Sequence, residues 1–500
     1  MNKFGGKISF ILFLLVFLTS SCEQVIIGKK DYKFLLEQTE TNKAELINIL
    51  NSYGQTQDRE KALAIEFLLD HIVDQYWIDY KMIKKDSSIS LNSSISIDSI
   101  LVLQNKGFLI DQRDTIKDID VIRSSDLESH VDQFLSNWKS KRFTSDLSFS
   151  DYMKLVLPYR INNEPLSACF SKMTIRYPLD KLIRQKAFKD TIDAYAMKVT
   201  SIFDDHSKNL YGVNHLNVVD DIEILSGKNQ IKDYEDYHIY RSNMLKYQGI
   251  PVFTQFTAHT RNLSARPYTT KYVDKGFSLD SLCYKNVAKV YMSSFSKSDW
   301  HNPFDELIKL GIQLKDIPLS MNIPKMKDVT SRVTKVGSIK ENFLFPKYKN
   351  GSETIFYLCS YTSGTWMPID YSVFRRGKLD LNDIGLNVLY IFARYSNGNL
   401  RFASDPFVLQ DSGVHLFKSN AENRQLNKLK ESNSKELQPG QDYLLFQWTE
   451  NGWREKKKVN NYINSVNISE GAIYSLRKVG DKIGKNSRPF SIRNEEQIWW

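Results

Sequence analysis

Hydrophobic periodicity changes once along this chain, near residue 248, and that change restricts the fold more than any other feature. Before it, apolar residues recur at the three-to-four spacing of helices. Asp31 to Tyr53 carries Leu35, Leu36, Leu46, Ile47 and Leu50, and Arg59 to Lys84 carries Leu63, Ile65, Leu68, Leu69, Ile72 and Val73. These two segments are expected to pack as a helical hairpin, with Tyr53-Gly54-Gln55-Thr56 as the turn. Ile122 to Trp138 is a further helix, after a Ser-rich loop from Asp86 to Ser99. Beyond residue 248, β-rich runs take over at Val287–Tyr291, Val388–Phe392 and Leu444–Trp448, punctuated by Ser396-Asn397-Gly398-Asn399 and Glu450-Asn451-Gly452. Asn-Gly supplies the positive φ values of a tight hairpin. Helices followed by strands define an α+β protein with appended β-sandwich domains, rather than a parallel α/β sheet. No internal repeat is visible.

A chain of 500 residues, 41% of them hydrophobic, can fill several cores and is expected to be multidomain. At its start, Lys3 and Lys7 precede an apolar run from Ile8 to Leu18, then Thr19, Ser20, Ser21 and Cys22. This is the pattern of a secretory signal ending in a lipobox. The run of roughly eleven residues is too short for a membrane span, which needs about 20. Cys22 is therefore the expected lipidation site. Acyl chains contributing about 0.8 kcal/mol per buried methylene would hold the protein on a membrane, and no later segment is apolar enough to span.

Cys169, Cys283 and Cys359 remain, an odd number that allows at most one disulfide. They form no Cys-x-x-Cys, so no zinc site or other cofactor site is expected. Cys359, in the alternating run Thr354 to Cys359, is expected to face inward. The formal charge is +10, but lysines alternate with acids along the chain and no nucleic-acid motif is present. The densest basic run, Arg454-Glu455-Lys456-Lys457-Lys458, is expected on a solvated strand or turn. The terminal pair Trp499-Trp500 is expected to be buried in a last strand, sugar stacking being the functional alternative. Glu235 with His238 has the spacing of a helical metal half-site, but the second pair such a site requires is not visible. Asp204-Asp205-His206 and His215 near Asp220 read as capping groups.

The segment Gly249-Ile250-Pro251-Val252, closing the helical stretch Tyr237 to Gln248, resembles the core of bacterial transglutaminase-like proteins of the papain-like superfamily. Leu157-Pro158-Tyr159-Arg160 with Asn163-Glu164-Pro165-Leu166 resembles the pair that precedes that core in a group of large Gram-negative lipoproteins. Lys327-Asp328-Val329-Thr330, Tyr357-Leu358-Cys359 with Trp366, Asp405-Pro406-Phe407 and Arg488-Pro489-Phe490 resemble the β-domains that follow it. On this resemblance the chain divides into a signal peptide (1–21), a helical N-terminal region (22–140), a transglutaminase-like core (141–300), a β-sandwich-like domain (301–425) and a C-terminal β domain (426–500).

The resemblance also exposes what has changed. Where relatives carry the reactive Cys this chain has Tyr234, and where they carry the catalytic His it has Arg266. Thiol chemistry needs a thiolate and a base that takes and returns the proton. A phenol with a pKa near ~10 and a permanently charged guanidinium supply neither. His259 then lacks a thiol partner, and Asp274 or Asp280, in the region of the third catalytic residue, has no histidine to orient. The reading is a lipid-anchored envelope protein, on the outer membrane of a Gram-negative cell, whose central domain is inactive in thiol chemistry and binds peptide or glycan. Tyr234, His259, Arg266, Tyr268 and Asp280 would line its cleft. The alternatives are a hydrolase or transferase rebuilt around His259, and a purely structural envelope component.

Overall fold

The computed structural model describes residues 30–84, 87–91, 103, 107–140, 147–162, 164, 166, 239, 242–243, 245–257, 268–272, 284–323, 325–340, 354–362, 364–376, 378–418, 423–426, 441–450, 452–460, 466–481, 486–493 and 496–500. Within them the protein is a mixed helix and strand structure whose sheets are all antiparallel.

Helices α1 (Lys43–Gln55), α2 (Arg59–Ile72), α3 (Ser124–Ser140) and α4 (Phe149–Val156) surround the first core. Their ends are set by local chemistry. The Asp58 carboxylate accepts from the Glu60 and Lys61 amides at 2.9 and 3.1 Å and starts α2. Glu45 on α1 accepts both the Ser124 amide (2.8 Å) and hydroxyl (2.7 Å), tying the start of α3 to α1. Leu46, Ile49, Ile65, Leu68, Leu69, Leu127, Val131 and Phe134 fill the interior at helical spacing. Ile47, expected among them, is 45% exposed. The helix expected from Asp31 is broken into a short 3-10 segment (Lys33–Glu37) and α1, and Tyr53 to Gln55, expected as the turn, complete α1.

The helix expected over Arg59 to Lys84 ends instead at Ile72. From Tyr76 the chain is a strand, β1 (Tyr76–Lys84), paired with β2 (Ser87–Leu91) and β3 (Leu109–Lys117). The N-terminal region is therefore not purely helical, and the expected Ser-rich loop begins as strand. The physical reason is the alternation of buried Ile78, Tyr80 and Met82 with more exposed neighbours, which suits a sheet with one buried face.

A second sheet has the order β5-β4-β6-β7, from β4 (Val252–Thr257), β5 (Tyr268–Tyr272), β6 (Val290–Ser293) and β7 (Met326–Asp328). It draws strands from both sides of residue 300. The first core likewise takes Tyr152, Val156, Leu157 and Phe295 from beyond residue 140.

The largest sheet follows the order β10-β9-β12-β14-β15 with β13 on β12. Its strands are β9 (Thr354–Thr362), β10 (Thr365–Phe374), β12 (Leu389–Ser396), β13 (Asn399–Phe402), β14 (Phe407–Gln410) and β15 (Gly413–Leu416). Asn397 (φ 47°) and Gly398 (φ 78°) make the expected β12–β13 turn. Both faces are covered. Tyr357, Cys359, Tyr361, Leu389, Ile391 and Val408 point into a core shared with β1, the helix α5 (Pro303–Lys309) and the last sheet. Phe356, Leu358, Tyr390, Phe392 and Phe407 point into another, shared with Phe256 of β4 and Tyr291 of β6. Double burial explains why β9 and β12 read as near-continuous apolar runs. Between these layers lie the short helix α6 (Thr330–Val333) and the pair β8 (Val336–Ile339) and β11 (Leu381–Gly385). A Cβ on Gly385 would sit 1.6 Å from the Val287 carbonyl oxygen, so only glycine admits this approach.

The last sheet is β18-β17-β20-β21-β22, from β17 (Asp442–Thr449), β18 (Gly452–Asn460), β20 (Ile473–Lys478), β21 (Phe490–Arg493) and β22 (Glu496–Trp499). A pair, β16 (Asn423–Leu426) with β19 (Val466–Ser469), accompanies it. Trp499 and Trp500 are buried, and the Trp500 indole donates to Ser491 Oγ at 2.9 Å. The basic run 454–458 is exposed on β18 at the sheet's edge, where charge discourages pairing with another strand. No helix among the described residues is long and apolar enough to cross a membrane.

Candidate functional site

The helical segment that includes Ser242, Asn243 and residues 245–247 ends at Gly249. The Ile250 amide donates to the Leu245 carbonyl (2.9 Å) and the Gly249 amide to the Lys246 carbonyl (2.8 Å), with Gly249 at φ +82°. These two bonds form a Schellman motif, which satisfies the last carbonyls of the helix and turns the chain into β4. A Cβ at Gly249 would meet Asn137 Cβ at 2.6 Å and the Tyr152 hydroxyl at 2.9 Å, so conformation and space both demand glycine. Asn137 also donates to the Tyr247 carbonyl at 2.9 Å, fixing the turn against α3. Strand β4 is entirely buried, between β5 and β6. Its Thr254 hydroxyl lies 2.7 Å from that of Ser242 on the preceding helical segment.

Of the residues proposed to line a cleft, Tyr268 opens β5, with its backbone opposite Phe256. Tyr234, His259, Arg266 and Asp280 lie outside the described residues, as do Cys22, Cys169, Cys283, Asp274 and the weighed pairs Glu235/His238, Asp204-Asp205-His206 and His215/Asp220. Cys359 faces inward and is fully buried, and burial pushes its thiol pKa up, away from the thiolate that nucleophilic chemistry needs. Among the described residues no group of three or more His, Cys, Asp or Glu side chains could hold a metal ion.

The motif Leu157-Pro158-Tyr159-Arg160 builds a buried ionic junction. Arg160 forks onto Asp118 through Nη2 (2.6 Å) and Nε (3.0 Å), and both side chains are 0% exposed. The Tyr159 hydroxyl donates to the same carboxylate at 3.0 Å. The Arg160 guanidinium also donates to the Glu164 carbonyl and stacks 5.6 Å from the Trp77 ring centroid. Glu164 accepts from the amides of Ile161 (2.5 Å) and Asn162 (2.7 Å), closing its own loop. The junction reaches the helix before Gly249 through Asn243 Nδ2 to Glu164 (3.5 Å) and Lys246 Nζ to the Pro158 carbonyl (3.5 Å). It also reaches the chain just before β7: Lys325 Nζ donates to the Asn162 carbonyl (2.8 Å) and to that of Tyr76. Nearby, His130 on α3 binds the Leu157 carbonyl through Nε2 at 2.7 Å. Burial, with the Lys246 cation adding to it, depresses its pKa to about 4, so the ring is neutral at pH 7.

The motif Lys327-Asp328-Val329-Thr330 forms a second such junction. Lys289, beside β6, pairs with Asp328 (2.9 Å) and with Asp370 on β10 (3.0 Å). Burial opposes the Lys289 ammonium, but the two carboxylates outweigh it and hold its pKa above the usual value. Burial likewise opposes the Asp328 carboxylate, and Lys289 with hydrogen bonds from Thr330 holds its pKa low. One ammonium is thus shared between two carboxylates. This cluster staples the β5-β4-β6-β7 sheet to the large sheet.

Neither junction holds a nucleophile beside a base; the first is closed to solvent, while in the second Lys289 is buried and the Asp328 side chain is 21% exposed. Their chemistry is structural. Sequence reasoning located both motifs but not their partners, since Asp118 lies 42 residues from Arg160 and Asp370 lies 81 from Lys289. Comparison with protein-family models, with curated proteins and with solved structures finds no match for the chain.

Proposed function

We propose that this chain is an exported, lipid-anchored envelope protein whose central unit is a degenerate transglutaminase-like core, used for recognition of peptide or glycan rather than for thiol catalysis. The observation that carries the reading is the contact between its two most telling motifs. The Leu-Pro-Tyr-Arg/Asn-Glu-Pro-Leu segment touches the helix that runs into Gly-Ile-Pro-Val, through Glu164 with Asn243 and Pro158 with Lys246. Segments about eighty residues apart that resemble one family's pattern in order are thus joined as parts of one scaffold. On this reading the large sheet with β8–β11 is the sandwich-type domain of that family, and the β17–β22 region is its terminal β domain. Tyr234 and Arg266 stand at the reactive positions, so the cleft offers a phenol and a guanidinium: groups suited to stacking and to a ligand carboxylate. A purely structural envelope role is the second reading, favoured by the full burial of the Arg160–Asp118 pair.

The anchoring part is tested by Cys22→Ser. The parent should incorporate an alkynyl fatty acid and sediment with membranes, whereas the variant should lose the label and appear in the soluble fraction. Continued acylation of the variant would refute the lipid anchor.

A further inference from the structure

One end of the large sheet carries an open cleft of about 340 Å³, within the usual range for a small-ligand site. It lies between the strand ends of β9, β10 and β12 and the loop that follows α5. Leu310, Ile312, Ile355 and Val373 give it an apolar wall, and Tyr357 and Tyr395, packed edge to face at 6.2 Å, give it an aromatic one. Two guanidiniums complete the lining: Arg375, just past β10, and Arg394, on β12. Both residues are exposed, and Arg394 makes no ion pair among the described residues.

The acid of the cleft is already engaged. Asp316 Oδ1 accepts the amide of Asn397 at 2.8 Å, tying the loop to the β12–β13 turn, while its carbonyl accepts the Tyr357 hydroxyl at 3.2 Å. Arg394 thus stands in the lining as a guanidinium without an ion pair among the described residues, beside a carboxylate that is already hydrogen-bonded. Guanidinium matches carboxylate in a planar, two-pronged fork, and the apolar and aromatic walls require a compact apolar body attached to that carboxylate.

We propose that this cleft binds the free C-terminus of a peptide ending in an apolar or aromatic residue, with Arg394 on the carboxylate and the terminal side chain against the Ile355, Val373 and Tyr395 surfaces. Volume limits the occupant to one or two residues. The lining consists of described residues between 310 and 395, and the proposal does not depend on the reading of Tyr234 and Arg266.

Calorimetric titration of the purified chain with N-acetyl dipeptides ending in Leu or Phe tests this directly. The free acids should bind, and the same dipeptides as C-terminal amides should bind roughly 10- to 100-fold more weakly, the scale of a lost charge-assisted hydrogen bond. Arg394→Met should weaken the free acid by a similar factor and leave the melting temperature unchanged, because Arg394 is exposed. Equal binding of acid and amide, undiminished binding by Arg394→Met, no binding up to millimolar concentration, or binding of glucuronate in place of the peptides would each overturn the proposal. The acid-to-amide comparison needs no variant, so it stands even if a substitution disturbs folding.

Discussion

Arg160→Met should lower the free energy of unfolding by about 3–5 kcal/mol, the scale of breaking a buried pair from one side. The loss arises chiefly from what is left behind. Asp118 would keep the Tyr159 hydroxyl but would otherwise be a buried carboxyl group without its cationic partner, and the Glu164 carbonyl would lose a donor. Denaturant unfolding followed by tryptophan fluorescence reads this, since Trp77 lies against the guanidinium. Pairing Arg160→Met with Asp118→Leu should recover part of the loss, because the stranded charge is then gone. A loss below about 1 kcal/mol for the single variant would mean that the junction is not buried as described.

The second large effect is expected at the turn into β4. Gly249→Ala should destabilise by about 2–4 kcal/mol: a side chain at φ +82° costs about 1–2 kcal/mol, and the added methyl drives into Asn137 and Tyr152. Gly54→Ala is the matched control. Gly54 sits in the last turn of α1 with nothing within 4 Å of the added carbon, so the same change there should be neutral or stabilise by roughly 0.5–1 kcal/mol. Thermal melts of the two variants should therefore move apart. Equal shifts would indicate that position 249 tolerates a side chain.

How much of this was legible in the sequence depended on whether the determining contacts are local. Helices α2 and α3 could be read because their apolar residues recur on one face, and the β12–β13 hairpin because Asn397-Gly398 has few other uses. Strand β1 is hidden in the sequence for a specific reason. Ile72, which ends the helix, and Val73 are followed by Ile78, Met82 and Ile83, whose spacing also fits a helical face, so the preceding period obscures the alternation of Ile78, Tyr80 and Met82. Pairing with β3, more than twenty residues away, decides in favour of the strand.

The motifs could be seen in sequence but their roles could not. Arg160 and Asp328 read as marks of a family, whereas their function as buried joints appears only when Asp118 and Lys289 are brought beside them. The cleft of Arg375 and Arg394 left no signal at all, since its walls come from segments between residues 310 and 395 that share no motif. Of the residues proposed to line a transglutaminase-like cleft, only Tyr268 falls among the described residues, on a strand beside β4.

The central claim is that the scaffold of a thiol enzyme persists with Tyr234 and Arg266 at the reactive positions, which requires those two residues to face each other across one cleft. Cysteines placed by Tyr234→Cys and Arg266→Cys, in a chain with Cys169 and Cys283 replaced by serine, measure this directly with a short bis-methanethiosulfonate crosslinker. The account predicts an efficient intramolecular crosslink, detected by mass spectrometry of the linked peptides. Single labelling of both cysteines without any crosslink between them would contradict it.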